Sequence, residues 1–233
     1  MRCEIIYEDK EVLVIYKPAG LATQTARVGQ PDAVSELKNY LAKGATAPYL
    51  GIIHRLDQPV EGLLVFAKNK MTAAALTAQL GQKESGIFNK QYRAVVCGKA
   101  EKKQDTLVDN LVKLPDGRAE IAASDNREAK RAVLRYECLA EQKLSEEITI
   151  SLMEISIETG RFHQIRVQMA NAGLPLLGDL KYGGEEEILV SGQLSVRFVA
   201  LCACRLVFRQ PVTGKELCFE ICPRGEIFHR FAE

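Results

Sequence analysis

Residues 62–67, G-L-L-V-F-A, constrain the fold more than any other stretch, because they form an uninterrupted run without charge or polar side chain. The run is too short for a typical helix and has the length and character of a strand buried on both faces. A sheet core must therefore form around it. Just ahead lies the polar cluster His54-Arg55-Leu56-Asp57, followed by the turn signal Gln58-Pro59. A carboxylate and a guanidinium thus sit on the turn that feeds a core strand. Such a loop keeps a side chain reachable while the scaffold fixes its position. In extended backbone Arg55 and Asp57 would point to one side. Taken alone, these residues support two readings: a reactive site, or an aspartate that initiates the turn beside a solvated arginine.

At 233 residues the chain can bury a sizeable core, as one large domain or a compact pair. An apolar content of 47% and a charged content of 26% are those of an ordinary globular protein. No apolar run reaches membrane-spanning length and the N-terminus lacks a signal-peptide core, so no membrane association and a cytoplasmic location are expected. Seven cysteines without regular spacing suit reduced thiols better than a disulfide framework. Lys+Arg of 31 against Asp+Glu of 30 leaves a net charge of only +1. Any nucleic-acid binding must then come from a local basic patch.

Periodicity places the remaining elements. Residues 4–16 hold two short strands split at Glu8-Asp9-Lys10-Glu11, the second ended by Lys17-Pro18-Ala19-Gly20. Residues 33–42 predict a helix with Val34, Leu37 and Leu41 on one stripe, stopped by Gly44. Residues 70–80 predict another, with Met71, Ala74, Ala75 and Ala78 at helical spacing and Gly81 closing it. Strands are expected at 90–97, 131–139 and 149–158, the last with a bulge near Met153-Glu154 where the apolar phase slips. Residues 159–173 suit a helix ended by Gly173, with His163 and Arg166 on one surface. Strands at 197–203, 205–208 and 216–222, with a hairpin turn at 211–214, complete the sheet. Residues 99–130 read as a long excursion, a hairpin being one form. Its Lys113, Arg118, Lys130 and neighbours Arg127 and Arg131 either grip RNA or belong to a solvated connection diluted by Glu120, Asp125 and Glu128.

H-R-L-D followed by G-L-L-V-F-A-K resembles the signature of the RluA-type RNA pseudouridine synthases. Three further strings resemble that family in the same order: Y-E-D-K-x-V-L-V-I-Y-K-P-A-G-L, K-x-Y-R-A-x-V and T-G-R-F-H-Q-I-R-V. G-L-P-L-L-G-D-x-K-Y-G, near residue 180, resembles a later family string, and its glycines and proline predict an irregular turn with a core role. The chain departs from the family at Val60 and Glu61, at Phe162 and at Gln168. The resemblance implies an α+β pseudouridine synthase fold with a mixed, mostly antiparallel bent sheet flanked by helices and loops. It implies one catalytic domain over residues 1–233, with no small S4-type domain ahead of it.

By the same resemblance Asp57 is catalytic, Tyr92 lies against the target base and Arg166 pairs with Asp57. A carboxylate shielded from water tends to take up a proton, which a fixed guanidinium opposes. Arg55, His54, Arg161, His163 and Gln164 are the implied substrate contacts, and the target uridine must be extruded from ribosomal or transfer RNA to reach them. No cofactor and no metal are expected. Cys202, Cys204, Cys218 and Cys222 lack the usual zinc-knuckle spacing and read as small hydrophobes. A monomer with no obligatory protein partner is the simplest assembly. Two other classes stay open on sequence alone: a non-catalytic RNA-binding or RNA-folding protein on the same domain, and a nucleoside hydrolase using Asp57 with water.

Overall fold

A computed structural model of the chain describes residues 1–27, 29–42, 47–81, 87–123 and 125–231. In chain order the elements are β1 (Glu4–Glu8), β2 (Val12–Lys17), α1 (Ala33–Leu41), β3 (Gly51–Ile52), β4 (Glu61–Ala67), α2 (Lys70–Gly81), β5 (Asn89–Cys97) and β6 (Gln104–Lys113). They continue with β7 (Ala119–Ile121), β8 (Lys130–Lys143), β9 (Thr149–Ile157), α3 (Gln164–Asn171), α4 (Glu185–Gln193), β10 (Leu201–Arg209), β11 (Glu216–Glu220) and a 3₁₀ turn at Glu226–Phe231. The chain is α+β and falls into two compact units, Met1–Lys90 with Cys202–Pro223 and Gln91–Leu201 with Arg224–Glu233.

In the first unit β4 is the strand that its composition demands, with all seven residues buried. It lies antiparallel to β2 and β3 and parallel to β10 through Cys202↔Glu61 and Ala203↔Gly62. β1 extends the sheet beyond β2, and β11 beyond β10. Leu63, Val65 and Ala67 of β4 pack with Val12, Val14, Leu76, Leu206 and Phe208 into one core. Asp32 caps α1 by accepting from Ser35 N–H at 2.7 Å. Gly44, the expected stop of α1, lies outside the described residues. α2 runs as expected but buries a different stripe. Thr72 and Leu76 are its buried residues, whereas Met71 is 85% exposed. Its alanines gave the periodicity, and β-sheet contact through Leu76 decided the orientation.

In the second unit β5, β9, β8, β6 and β7 pair in that order, all antiparallel. The excursion between β5 and β8 is thus a hairpin, β6–β7. The expected bulge is present at the level of Met153 but on the neighbouring strand. β9 keeps an unbroken register with β5, while β8 slips between Cys138 and Ala140, leaving Leu139 as the extra residue. The phase change in β9 reflects burial of both faces at Ile150 and Ser151, each 0% exposed. α3 starts at Gln164, later than the apolar spacing suggests, because His163 takes a left-handed conformation (φ 53°) ahead of it. One continuous β10 replaces two expected strands. α4 is not legible as an apolar stripe, since its first turn is three glutamates. It is fastened instead by buried Glu187, which accepts from Gly178 N–H and Ser191 Oγ at 2.9 and 2.5 Å.

Gly62 opens β4 with φ +127°, and an added Cβ there would meet Ala203 N and O at 2.5 Å. Gly62→Ala is therefore expected to lose on the order of 3 kcal/mol, combining overpacking with a disfavoured backbone. Gly214→Ala, also at positive φ but in open space, should lose only about 1 kcal/mol. Urea unfolding of both variants checks the difference.

Candidate functional site

Asp57 stands on a tight turn whose Val60 N–H donates to the Asp57 carbonyl at 3.1 Å. The residues on either side of it are clamped. Thr23 Oγ1 donates to Leu56 O at 2.8 Å and accepts from Leu56 N–H at 3.2 Å. Gly20 N–H donates to Gln58 O at 2.8 Å, and Gln58 Nε2 returns a bond to Gly20 O at 3.1 Å. Thr23 is itself held by α1, whose first amides donate to Ala22 O and Thr23 O. These are helix-terminal donors that need partners outside the helix. Asp32 completes the brace by accepting from Thr25 N–H at 2.8 Å.

Beneath this turn Lys17 is fully buried, at 0% exposure. Its Nζ donates to Leu21 O at 2.7 Å, Pro18 O at 3.0 Å and Gln58 O at 3.4 Å. Burial lowers its pKa to about 8, against the opposing pull of Cys3, Asp57 and Glu61. Val60 and Glu61, the two departures from the family pattern, are both buried, and Glu61 accepts from the Tyr16 hydroxyl. The departures therefore belong to the packing under the turn. Arg55 is exposed, and Asp57 is half-buried. His54, expected at the substrate, is instead a buried ring set edge-on to Phe88, with centroids 5.7 Å apart. Burial and nearby Lys90 push its pKa well below the usual histidine range, so the ring is neutral.

The second unit carries the other implied residues. Tyr92 is buried in β5 opposite Ile155. Arg166 is 4% exposed on α3 and donates through Nε and Nη2 to Asp179 Oδ2 and Oδ1 at 2.6 and 2.7 Å. Its guanidinium lies 5.1 Å from the centre of the Tyr182 ring. The Tyr182 hydroxyl accepts from Ala119 N–H at 2.9 Å and meets His163 Nδ1 at 2.6 Å. Asp179 and Tyr182 come from the string read as an irregular core turn. Their role as supports for Arg166 and His163 was hidden because the partners lie 13 and 19 residues earlier.

Gln164, another expected substrate contact, has its amide engaged inside the unit. Its Nε2 donates to Val133 O at 3.0 Å, and its Oε1 accepts from Thr159 Oγ1 and Arg161 N–H at 2.6 and 3.0 Å. Gln168 fastens the same helix to Asp109 at 2.7 Å. Arg161 is half-buried, its Nε donating to Arg131 O at 3.0 Å. Cys202 and Cys204 are buried, Cys218 and Cys222 exposed. Among the described residues no group of three or more His, Cys, Asp or Glu is placed to hold a metal ion, and no helix is long and apolar enough to cross a membrane.

An unfolded lysine keeps its proton up to about 10.5, whereas Lys17 in the folded chain releases it at about 8. Between those values the unfolded chain binds more protons, so the Lys17 contribution to stability rises with pH across that window. Urea unfolding at pH 8 and pH 10 should show a smaller rise for Lys17→Met than for the unaltered chain. An equal rise in both would contradict this account of the buried ammonium.

A family model described as RNA pseudouridylate synthase matches residues 11–171, a span containing Asp57, Tyr92 and Arg166. Ribosomal large subunit pseudouridine synthase D of Zymomonas mobilis is 33% identical over 224 residues, which cover 93% of this chain and 68% of that protein. An uncharacterized RNA pseudouridine synthase of Bacillus subtilis, YhcT, is 35% identical over 191 residues, covering 80% of this chain and 59% of its own length. The structure titled Human RNA Pseudouridylate Synthase Domain Containing 4 superposes with a TM-score of 0.75 at 24% identity, covering 97% of this chain and 92% of that one, which supports the fold. With the family match running through β2, β4, β5 and α3, the elements that carry these side chains, the chain belongs to the RNA pseudouridylate synthase family.

Proposed function

We propose that this chain is an isomerase that converts specific uridines of RNA into pseudouridine, with Asp57 as the catalytic carboxylate. The observation that carries the reading is the immobilised turn. Leu56 and Gln58 are each bound through the backbone while Asp57 between them keeps a half-buried side chain. Such fixing of a reactive group limits the reorganisation needed when substrate arrives.

The reaction breaks the N1–C1′ bond of uridine and joins C1′ to C5 of the same base. The C5 proton leaves and N1 gains one, so the product is an isomer and no oxidant, reductant or cofactor is required. Asp57 either adds to C1′ or assists departure of uracil through a glycal. Arg166, ordered by its two hydrogen bonds to Asp179, is assigned as the counter-charge of Asp57. Tyr92 is assigned to support the detached base, since a phenol offers both a stacking face and a hydroxyl. Exposed Arg55 is assigned to the space vacated by the flipped nucleotide, where a planar cation can stack and bind phosphate.

Relatives named for the large ribosomal subunit make ribosomal RNA the first substrate to test, with transfer RNA as the other class. The proposed form is a monomer acting in the cytoplasm.

Asp57→Asn is expected to lower pseudouridine formation in ribosomal RNA by at least about 10³-fold, while filter binding of the same RNA stays within about threefold, or under 1 kcal/mol. Chromatography of the digested RNA measures the product. Turnover near the unaltered level in this variant would remove Asp57 from the chemistry.

A further inference from the structure

Within the second unit a pocket of about 390 Å³ opens between the β6–β7 hairpin, the start of β8 and the loop before α3. It is built of none of Asp57, Tyr92 or Arg166. Its lining combines apolar residues, including Leu111 and Phe162, with three cations, Lys113, Lys130 and Arg161, and one carboxylate, Glu128. The volume falls in the range of sites that take a small ligand, roughly 300–1,000 Å³. Excess positive charge beside an apolar wall matches a nucleotide, which presents an anionic phosphate and a flat apolar base.

Two of the cations are held in place before any ligand arrives. The Lys113 ammonium lies 4.8 Å from the centre of the Phe162 ring, a cation–π arrangement. Phe162 is itself stacked on His163 at 3.8 Å. Arg161 is tied by its backbone amide to Gln164 and by Nε to Arg131 O. The other basic residues of the excursion fare differently. Arg118 is paired with Asp116 in its own turn at 2.7 Å, and neither it nor Arg127 lines the pocket.

We infer that this pocket is a subsite for an unpaired nucleotide of the RNA substrate, separate from the uridine that reacts, with Lys113, Lys130 and Arg161 receiving its phosphate. The inference rests on the proposed RNA substrate and deepens it.

The test uses the full chain and a fluorescent 12-nucleotide oligouridylate, with affinity measured by anisotropy across a series of potassium chloride concentrations. The double variant Lys113→Ala, Lys130→Ala should bind about tenfold more weakly at low salt, with the slope of log affinity against log salt reduced by about 1.4, near 0.7 per lost cation. Lys113→Arg with Lys130→Arg should restore both, and Lys10→Ala with Lys215→Ala, exposed and outside the pocket, should leave both unchanged. Uridine monophosphate should compete poorly if the ligand is a nucleotide within a chain. Competition at its own concentration equal to that of the oligomer would assign the pocket to a free nucleotide and overturn the inference. So would unaltered affinity and slope in the alanine variant, or no binding by the parent chain. Pseudouridine formation is assayed separately on ribosomal RNA. A chain that forms pseudouridine while its alanine variant binds normally refutes the pocket alone. A chain that forms none while the variant loses affinity refutes the isomerase alone.

Discussion

The first unit depends on a buried ammonium. Removing Lys17 from water carries a large desolvation penalty, which three backbone carbonyls and the nearby Asp57 and Glu61 offset only in part, so its pKa stays lowered to about 8. Those carbonyls belong to Pro18 and Leu21 on one segment and Gln58 on another, so the charge joins residues 17–21 to the turn bearing Asp57. Thr23, Asp32 and the first amides of α1 tighten the same joint from the other side. Each of these groups is short or backbone-borne. Of the groups named here only Lys17 brings a long side chain into the joint, so ordering the others costs little side-chain entropy.

The second unit meets the same problem, a buried cation, with a directly bonded carboxylate. Arg166 enters from α3 into an interior where an isolated guanidinium would be costly, and Asp179 meets it with two oxygens. Asp179 also accepts from Lys181 N–H at 3.1 Å, so the carboxylate is oriented by the turn that carries it. Tyr182 and His163 form a second support alongside. A left-handed His163 is explained by this pairing: the conformation is disfavoured for a residue with a Cβ, and the ring's contacts with Phe162 and Tyr182 compensate.

Much of this was legible in the sequence. The apolar run of β4, the split between β1 and β2, and α1 follow from periodicity, because burial of one face or two leaves a direct trace in residue order, whereas the alanine spacing of α2 gives its extent but not the stripe it buries. Asp57, Tyr92 and Arg166 are proposed for the site on their motif strings. What the order could not disclose depends on partners far along the chain. Thr23 meets Leu56 across 33 residues, and Asp179 meets Arg166 across 13. The apolar phase shift in β9 predicts a bulge there, yet the extra residue is Leu139 of β8. A strand's own sequence cannot report its neighbour's count. Asp32 was the one missed support with a local signal, an acidic residue directly before an apolar-periodic run.

The chemistry assigned to the clamped carboxylate is an isomerisation, and its two halves can be followed on one sample. Ribosomal RNA carrying tritium at C5 of uridine, incubated with the purified chain, should release tritium to water in proportion to pseudouridine found in the digested RNA, with no free uracil. Free uracil appearing in step with the loss of uridine would mean that water, rather than C5, attacks C1′, and the account given for Asp57 would be wrong.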